Sequence, residues 1–199
     1  MTVPATSVDP ARVERWLGLL LKGDLEEIRR VFAADGARGP SIRWRPAVGD
    51  IGPKAMQFAL DYWQRAVEAL GGPKTRLVDP VQLAPALGYL LLVDVVDDGR
   101  DFSYRLYGSV AGSVSGFDMT HKRLSEHPAS RYIREFSTAL YRAVIERREP
   151  VWSHYGPAVA MSTAAWERIV LPLVDDNNRI CRFLVATVPI GLDGQPLRG

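Results

Sequence analysis

The side chains of this chain best suited to ligate a metal, move a proton or hold an anion are three histidines, His121, His127 and His154, the lone Cys181, and Arg168. No two histidines stand at a helical metal-ligand spacing, and Cys181 is far from all three in sequence. HExxH, GxSxG and P-loop patterns are missing. The run Gly108-Ser109-Val110-Ala111-Gly112 lacks the further glycine and the lysine that phosphate cradles use, so its small residues read as tight packing of a helix on a sheet. The carboxylate pairs Asp97-Asp98 and Asp175-Asp176 fall in turns, where Asp satisfies backbone donors, which makes them poor general acids or bases. His121, between Thr120 and Lys122, belongs to an exposed polar turn. His154 lies in an extended run and could face a cavity, although an ordinary sheet histidine explains it better than a haem ligand. Glu167 and Arg168 are strand neighbours and point to opposite faces. Arg168 shares its face with Trp166 and Val170, so it must be paired or reach solvent: a structural ion pair is the simpler reading, an acidic ligand the other.

These residues depend on elements that the hydrophobic pattern locates. Asp9-Pro10 opens a helix with Val13, Trp16, Leu17, Leu20 and Leu21 on one stripe, closed by Gly23. Asp24 caps a second short helix carrying Leu25, Ile28, Val31 and Phe32. Residues 35–53, rich in Gly, Pro and Arg, read as a long loop pinned by Trp44. Pro53 begins a helix to residue 70 whose wide apolar stripe (Ala55, Phe58, Ala59, Tyr62, Trp63, Ala66, Val67, Leu70) must lie on a sheet or on a second copy of itself. Residues 81–87 form a turn or short helix. Tyr89–Val96 and Asp101–Tyr107 read as strands joined at Asp97-Asp98-Gly99-Arg100. In the second, Phe102, Tyr104 and Leu106 alternate with Ser103, Arg105 and Tyr107. Small helical turns over 108–116 and a short extended piece over 119–123 lead to a long helix between Pro128 and Pro150. The buried face of that helix is expected at Tyr132, Ile133, Phe136, Leu140, Ala143 and Val144. Three apolar segments follow, 151–161, 166–174 and 180–188, the last two forming a hairpin around residues 175–179.

Short connections exclude a parallel, doubly wound sheet and favour an α+β fold with an antiparallel sheet of about five strands. The strand 166–174 is apolar on both faces, with Trp166, Val170 and Val174 opposite Ile169, Leu171 and Leu173. Both sheet faces must therefore be covered, by helices or a partner subunit. With hydrophobic residues at 47 % of 199, the chain can build a full core. A net charge of +2 with arginines scattered at 29, 30, 38, 43, 45, 142, 147 and 148 speaks against a nucleic-acid-binding stripe. One cysteine excludes an internal disulfide, and neither a signal peptide nor a membrane-length apolar run is seen. A soluble, cytoplasmic protein is expected.

The stretches DYW (61–63), TRLVDPVQLAPALGYLLLVDV (75–95), FSYRLYGS (102–109), GFDMTHKRLSE (116–126) and WERIVLPLVDD (166–176), in that order, resemble the PAS superfamily. The resemblance is closest to a family of small stand-alone PAS-like proteins of alphaproteobacteria, and it spans residues 62–190. It implies a five-stranded antiparallel sheet with helices on one face, here carrying an N-terminal helical extension (1–52) before the PAS-like part (53–199, with leading helix 53–70). It also implies a sensory or protein-interaction role in bacterial signalling rather than catalysis, with a signalling protein partner and in some members a small ligand between helices and sheet; a homodimer is expected from the apolar sheet faces and the wide stripe of helix 53–70. His121 departs from the family, where glycine is expected in the turn.

If a ligand binds, the expected walls are Tyr104, Phe117, Tyr132, Phe136, Trp152 and Trp166, with His154 and Arg168 as polar candidates, although these aromatics could equally just fill the core. No cofactor is named by the sequence. Cys181 lies in a string similar to that of flavin-binding photosensory PAS proteins, but in the last strand and after Ile180 rather than asparagine. It reads as a packing residue. A small-molecule enzyme using the same cavity and a weak nucleic-acid binder acting through the arginines are the rival readings.

Overall fold

A computed structural model describes residues 8–156 and 163–198. Its sheet has six strands: β1 (Ser41–Trp44), β2 (Leu90–Val96), β3 (Asp101–Tyr107), β4 (Val151–Tyr155), β5 (Thr163–Val174) and β6 (Ile180–Gly191). They lie in the order β1-β4-β5-β6-β2-β3, and every neighbouring pair is antiparallel. Five occupy segments expected to be extended. The sixth, β1, falls inside the stretch read as a loop and pairs with the edge of β4, Ser41 opposite His154. Four residues among prolines and glycines carry too little periodicity to announce a strand; the free edge of β4 recruits them. Residues 157–161 of the apolar segment expected over 151–161 lie outside the described residues.

The helices are α1 (Pro10–Lys22), α2 (Glu26–Ala34), α3 (Lys54–Leu70), α4 (Ser109–Ser115) and α5 (Arg131–Arg147), with short 3₁₀ turns between them. Local chemistry sets their ends. Asp9 accepts from the backbone N–H groups of Ala11 and Arg12 at the start of α1, and Gly23 closes that helix at φ 76°. Gly71 does the same for α3 at φ 65°. His121 adopts φ 65°, the left-handed conformation that glycine would take without a Cβ clash, which gives its departure from the family pattern a physical cost.

α5 and α4 cover one face of the sheet, and α3 covers the other. On the α3 side, Ile169, Leu171, Leu173, Leu184, Ala186 and Val188 meet Met56, Ala59, Leu60 and Tyr62. The apolar stripe of α3 is thus used on the sheet, and the Trp63 indole donates to the Pro172 carbonyl at 3.2 Å. Its outward side carries the Asp61–Arg65 ion pair.

On the other face α5 is buried on nearly all sides, because α1 and α2 pack over its back. Phe32 of α2 inserts among Tyr132, Phe136 and Tyr155, with ring centroids 4.6, 5.6 and 6.1 Å away. Beyond the apolar face expected from sequence, Arg134, Glu135, Ser137 and Thr138 are therefore buried as well. Glu135 is the clamp: it accepts from the Asp9 backbone N–H and from Arg12 at 3.0 Å, and from Arg131 at 2.7 Å. Burying an ion cluster is tolerable here because the carboxylate's oxygens are fully engaged.

Candidate functional site

Alternation along β5 aims Arg168 at the α5 side of the sheet, flanked by Ser153 on β4 and Thr187 on β6. Glu167 points to the opposite face, where it accepts from the Trp152 indole at 3.1 Å. Above Arg168 the first turn of α5 and the loop before it stand off the sheet and leave a cavity of ≈260 Å³. Its floor is Leu91, Tyr104, Tyr107, Tyr155, Trp166, Arg168 and Thr187; its roof is Ser115, Phe117, the residues from His127 to Ser130, Tyr132 and Ile133.

Arg168 is 7 % exposed. Its guanidinium donates to Ser137 Oγ and Tyr155 Oη, both at 3.3 Å, while Nε–H has no partner. Among the described residues no carboxylate forms an ion pair with it. Burial works against the charge, yet coupling to the phenols of Tyr155, Tyr141, Tyr104 and Tyr107 outweighs that and moves its pKa above the usual arginine value. It is a permanent cation. Burial pushes the Tyr107 phenol up to about 12, and Tyr104 well above its ordinary range. Both remain hydroxyls at neutral pH.

His127 forms part of the roof. Its Nδ1 accepts from the Ala129 backbone N–H at 3.1 Å, which leaves the proton of the neutral ring on Nε2. Its ring packs edge-on to Phe117, centroids 4.8 Å apart. Burial, then the charges of Arg168 and Arg134, lower its pKa to about 3. Arg134 braces this loop by donating to the carbonyls of His127 and Ala129.

Of the residues singled out from sequence, Tyr104, Phe117, Tyr132, Trp166 and Arg168 come together around the cavity. Phe136 does not line it; its ring is packed between Phe32 and Tyr155. Trp152 and His154 lie on the opposite face of the sheet, stacked on each other at 6.1 Å. β4 turns Val151, Ser153 and Tyr155 inward instead. His154 is thereby removed from the cavity, and burial lowers its pKa too.

Among the lining residues outside the expected walls, Tyr107, His127 and Tyr155 carry titratable side chains. Tyr155 had a signal in the alternation of β4. Tyr107 did not, because Leu92 and Val93 pair with Leu106 and Tyr104, so that Arg105 is an extra residue. That bulge reverses the alternation, turning Leu106 outward (36 % exposed) and Tyr107 in. Cys181 is remote from the cavity in β6. Its Sγ lies 4.0 Å from the Leu173 carbonyl, and burial pushes its thiol pKa up, away from a reactive thiolate.

No group of three or more potential metal ligands occurs among the described residues, and none of their helices is long and apolar enough to cross a membrane. Comparison with curated proteins and with solved structures finds no match for the chain. A family model described as the PAS domain matches residues 52–187, which include α3, β2 to β5 and every lining residue of the cavity. With its antiparallel sheet, α5 laid across one face and a cavity between them, the chain belongs to the PAS domain family.

Proposed function

We propose that this chain is a non-catalytic PAS sensory or interaction module of bacterial signalling that takes a small ligand between α5 and the sheet, and that works as a homodimer or with a signalling partner. The observation that carries the reading is the ≈260 Å³ cavity, lined by aromatic rings around one buried guanidinium. A cavity of that size between helix and sheet leaves packing contacts unmade, which a ligand would restore. Ligand binding then shifts the balance between conformations by its differential affinity for them.

An enzyme in the same cavity would need a group poised to exchange protons near neutrality. His127 is held at about 3, and the Tyr104 and Tyr107 phenols are pushed upward, so neither type serves. Arginines that might attract nucleic acid are engaged locally: Arg30 with Glu26, Arg43 with Asp50, Arg45 and Arg147 with Glu149, Arg142 with Glu14.

The test is a fragment screen by protein NMR on the full chain. Shifts centred on Tyr104, Phe117, His127 and Trp166 support the ligand reading, and a diverse set that moves none of them refutes it. Light scattering over a dilution series addresses the homodimer; a monomer at every concentration removes that part.

A further inference from the structure

Arg168 is a permanent cation, and among the described residues it has no counter-charge. The acids nearest in sequence to Arg168 and to its Ser137 partner, Glu167 on β5 and Glu135 on α5, are committed elsewhere. Glu135 is clamped by Arg12 and Arg131 on the far side of α5, and Glu167 faces the other side of the sheet. Two neutral hydroxyls at 3.3 Å are weak compensation for a guanidinium removed from water, and Nε–H remains unpaired. The rest of the polar lining repeats the pattern. Tyr104 and Tyr107 carry hydroxyls, His127 presents Nε2–H, and no lining residue is acidic; the Thr187 hydroxyl donates to the Glu167 carbonyl. This is a surplus of donors around a single positive charge, bounded by the apolar surfaces of Phe117, Trp166, Ile133 and Leu91.

One guanidinium balances one negative charge. A dianion would leave the second charge buried without a partner, and a neutral ligand would leave the guanidinium as it is. The fork of N–H groups on arginine matches a carboxylate. At roughly 30 Å³ for each water-sized atom, ≈260 Å³ holds a molecule of roughly nine non-hydrogen atoms. Resting on the ligand-pocket reading above, we infer that the cavity takes a small monocarboxylate with an apolar, preferably aromatic body. Its carboxylate sits on Arg168 and its body lies against Phe117 and Trp166.

The test is calorimetric titration of the full chain at neutral pH with phenylacetate, benzoate and hexanoate, each set against its neutral amide, and with phenyl phosphate as the dianion. The inference expects at least one acid to bind at least tenfold more tightly than its amide. It also expects that preference to vanish in Arg168→Gln and to survive in part in Arg168→Lys. Equal binding of acid and amide overturns the inference and leaves the ligand pocket standing, as does binding of neutral fragments alone. Binding of phenyl phosphate in preference to every acid overturns it in favour of a dianion. Failure of the acids, the amides and the fragment screen together removes both readings. Should Arg168→Gln not fold, the acid-to-amide ratio in the unmodified chain and in Arg168→Lys decides.

Discussion

His127 offers a test of the site's electrostatics that needs no ligand. In the folded chain its pKa is lowered to about 3, against an ordinary value of 6.5. The folded state therefore refuses a proton that the unfolded state accepts. His127 takes nothing from stability above about pH 7, and its penalty grows as pH falls from the unfolded value toward the folded one. Between pH 7 and pH 5 the folded imidazole stays neutral while the unfolded one becomes almost fully charged. The unfolded state gains about 1.5 pH units of protonation free energy, or about 2 kcal/mol. This figure depends on the unfolded value and holds for any folded value well below 5. The comparison is urea unfolding at both pH values for the native chain and for His127→Asn. Asparagine is chosen because its side-chain oxygen can still accept from the Ala129 N–H. The native chain should lose about 2 kcal/mol more than the variant between the two pH values. The other titrating groups act in both proteins and cancel. Equal losses would mean that His127 takes up its proton freely in the folded state, and that the field of Arg168 and the burial beneath α5 are not as described.

Glu135→Ala removes the carboxylate shared by Arg12 and Arg131, which are partly exposed and can turn to water, and frees the start of α1; a loss of about 1–3 kcal/mol is expected in urea unfolding, with faster amide exchange in α1. His121→Gly relieves a left-handed backbone and should raise stability by roughly 0.5–1 kcal/mol in the same assay, since part of the relief is offset by glycine's greater freedom when unfolded. At Gly108 an added Cβ would collide with the Gly88 carbonyl group and the Leu90 carbonyl oxygen, so Gly108→Ala should cost more than about 2 kcal/mol by thermal unfolding. At Gly112, inside α4, the nearest atom to such a Cβ lies at 3.5 Å, so Gly112→Ala should leave stability unchanged or raise it by up to about 1 kcal/mol.

The strands and helices with strong periodicity were legible because burial on one side imposes it. The apolar rows of 166–174 separated correctly onto two faces, and Arg168 was placed on the face of Trp166 and Val170. The stripe of α3 demanded a surface, and the outer face of the sheet is that surface. What escaped the pattern escaped it for identifiable reasons. Arg134, Glu135, Ser137 and Thr138 looked solvent-facing because an amphipathic count assumes water on the back of α5, and α1 occupies that space instead. Trp152 and His154 were expected at the ligand because large aromatic side chains suggest an interior. In a strand of five residues the inward positions are set by Val151 and Tyr155 at its ends. His127 has no spacing signal at all, since its place above the sheet is fixed by Arg134 holding the loop carbonyls.

The Arg105 bulge also has a geometric consequence. A bulged strand bends and twists more than its partner, and a ladder in unbroken register lies flatter. The pairing of β5 with β6 also slips near both ends, at Thr163/Ala165 and at Leu173/Val174. The Arg105 bulge therefore bends β3 beneath the loop that leads into α5, and a straight helix laid over a bent strand stands off it locally. On that view the hollow over Arg168 arises from curvature as much as from the choice of side chains. Deleting Arg105 would straighten β3 while keeping Leu106 opposite Leu92 and Tyr107 opposite Leu91, so the same side chains would face the hollow and its shape would change without altering a single residue on α5.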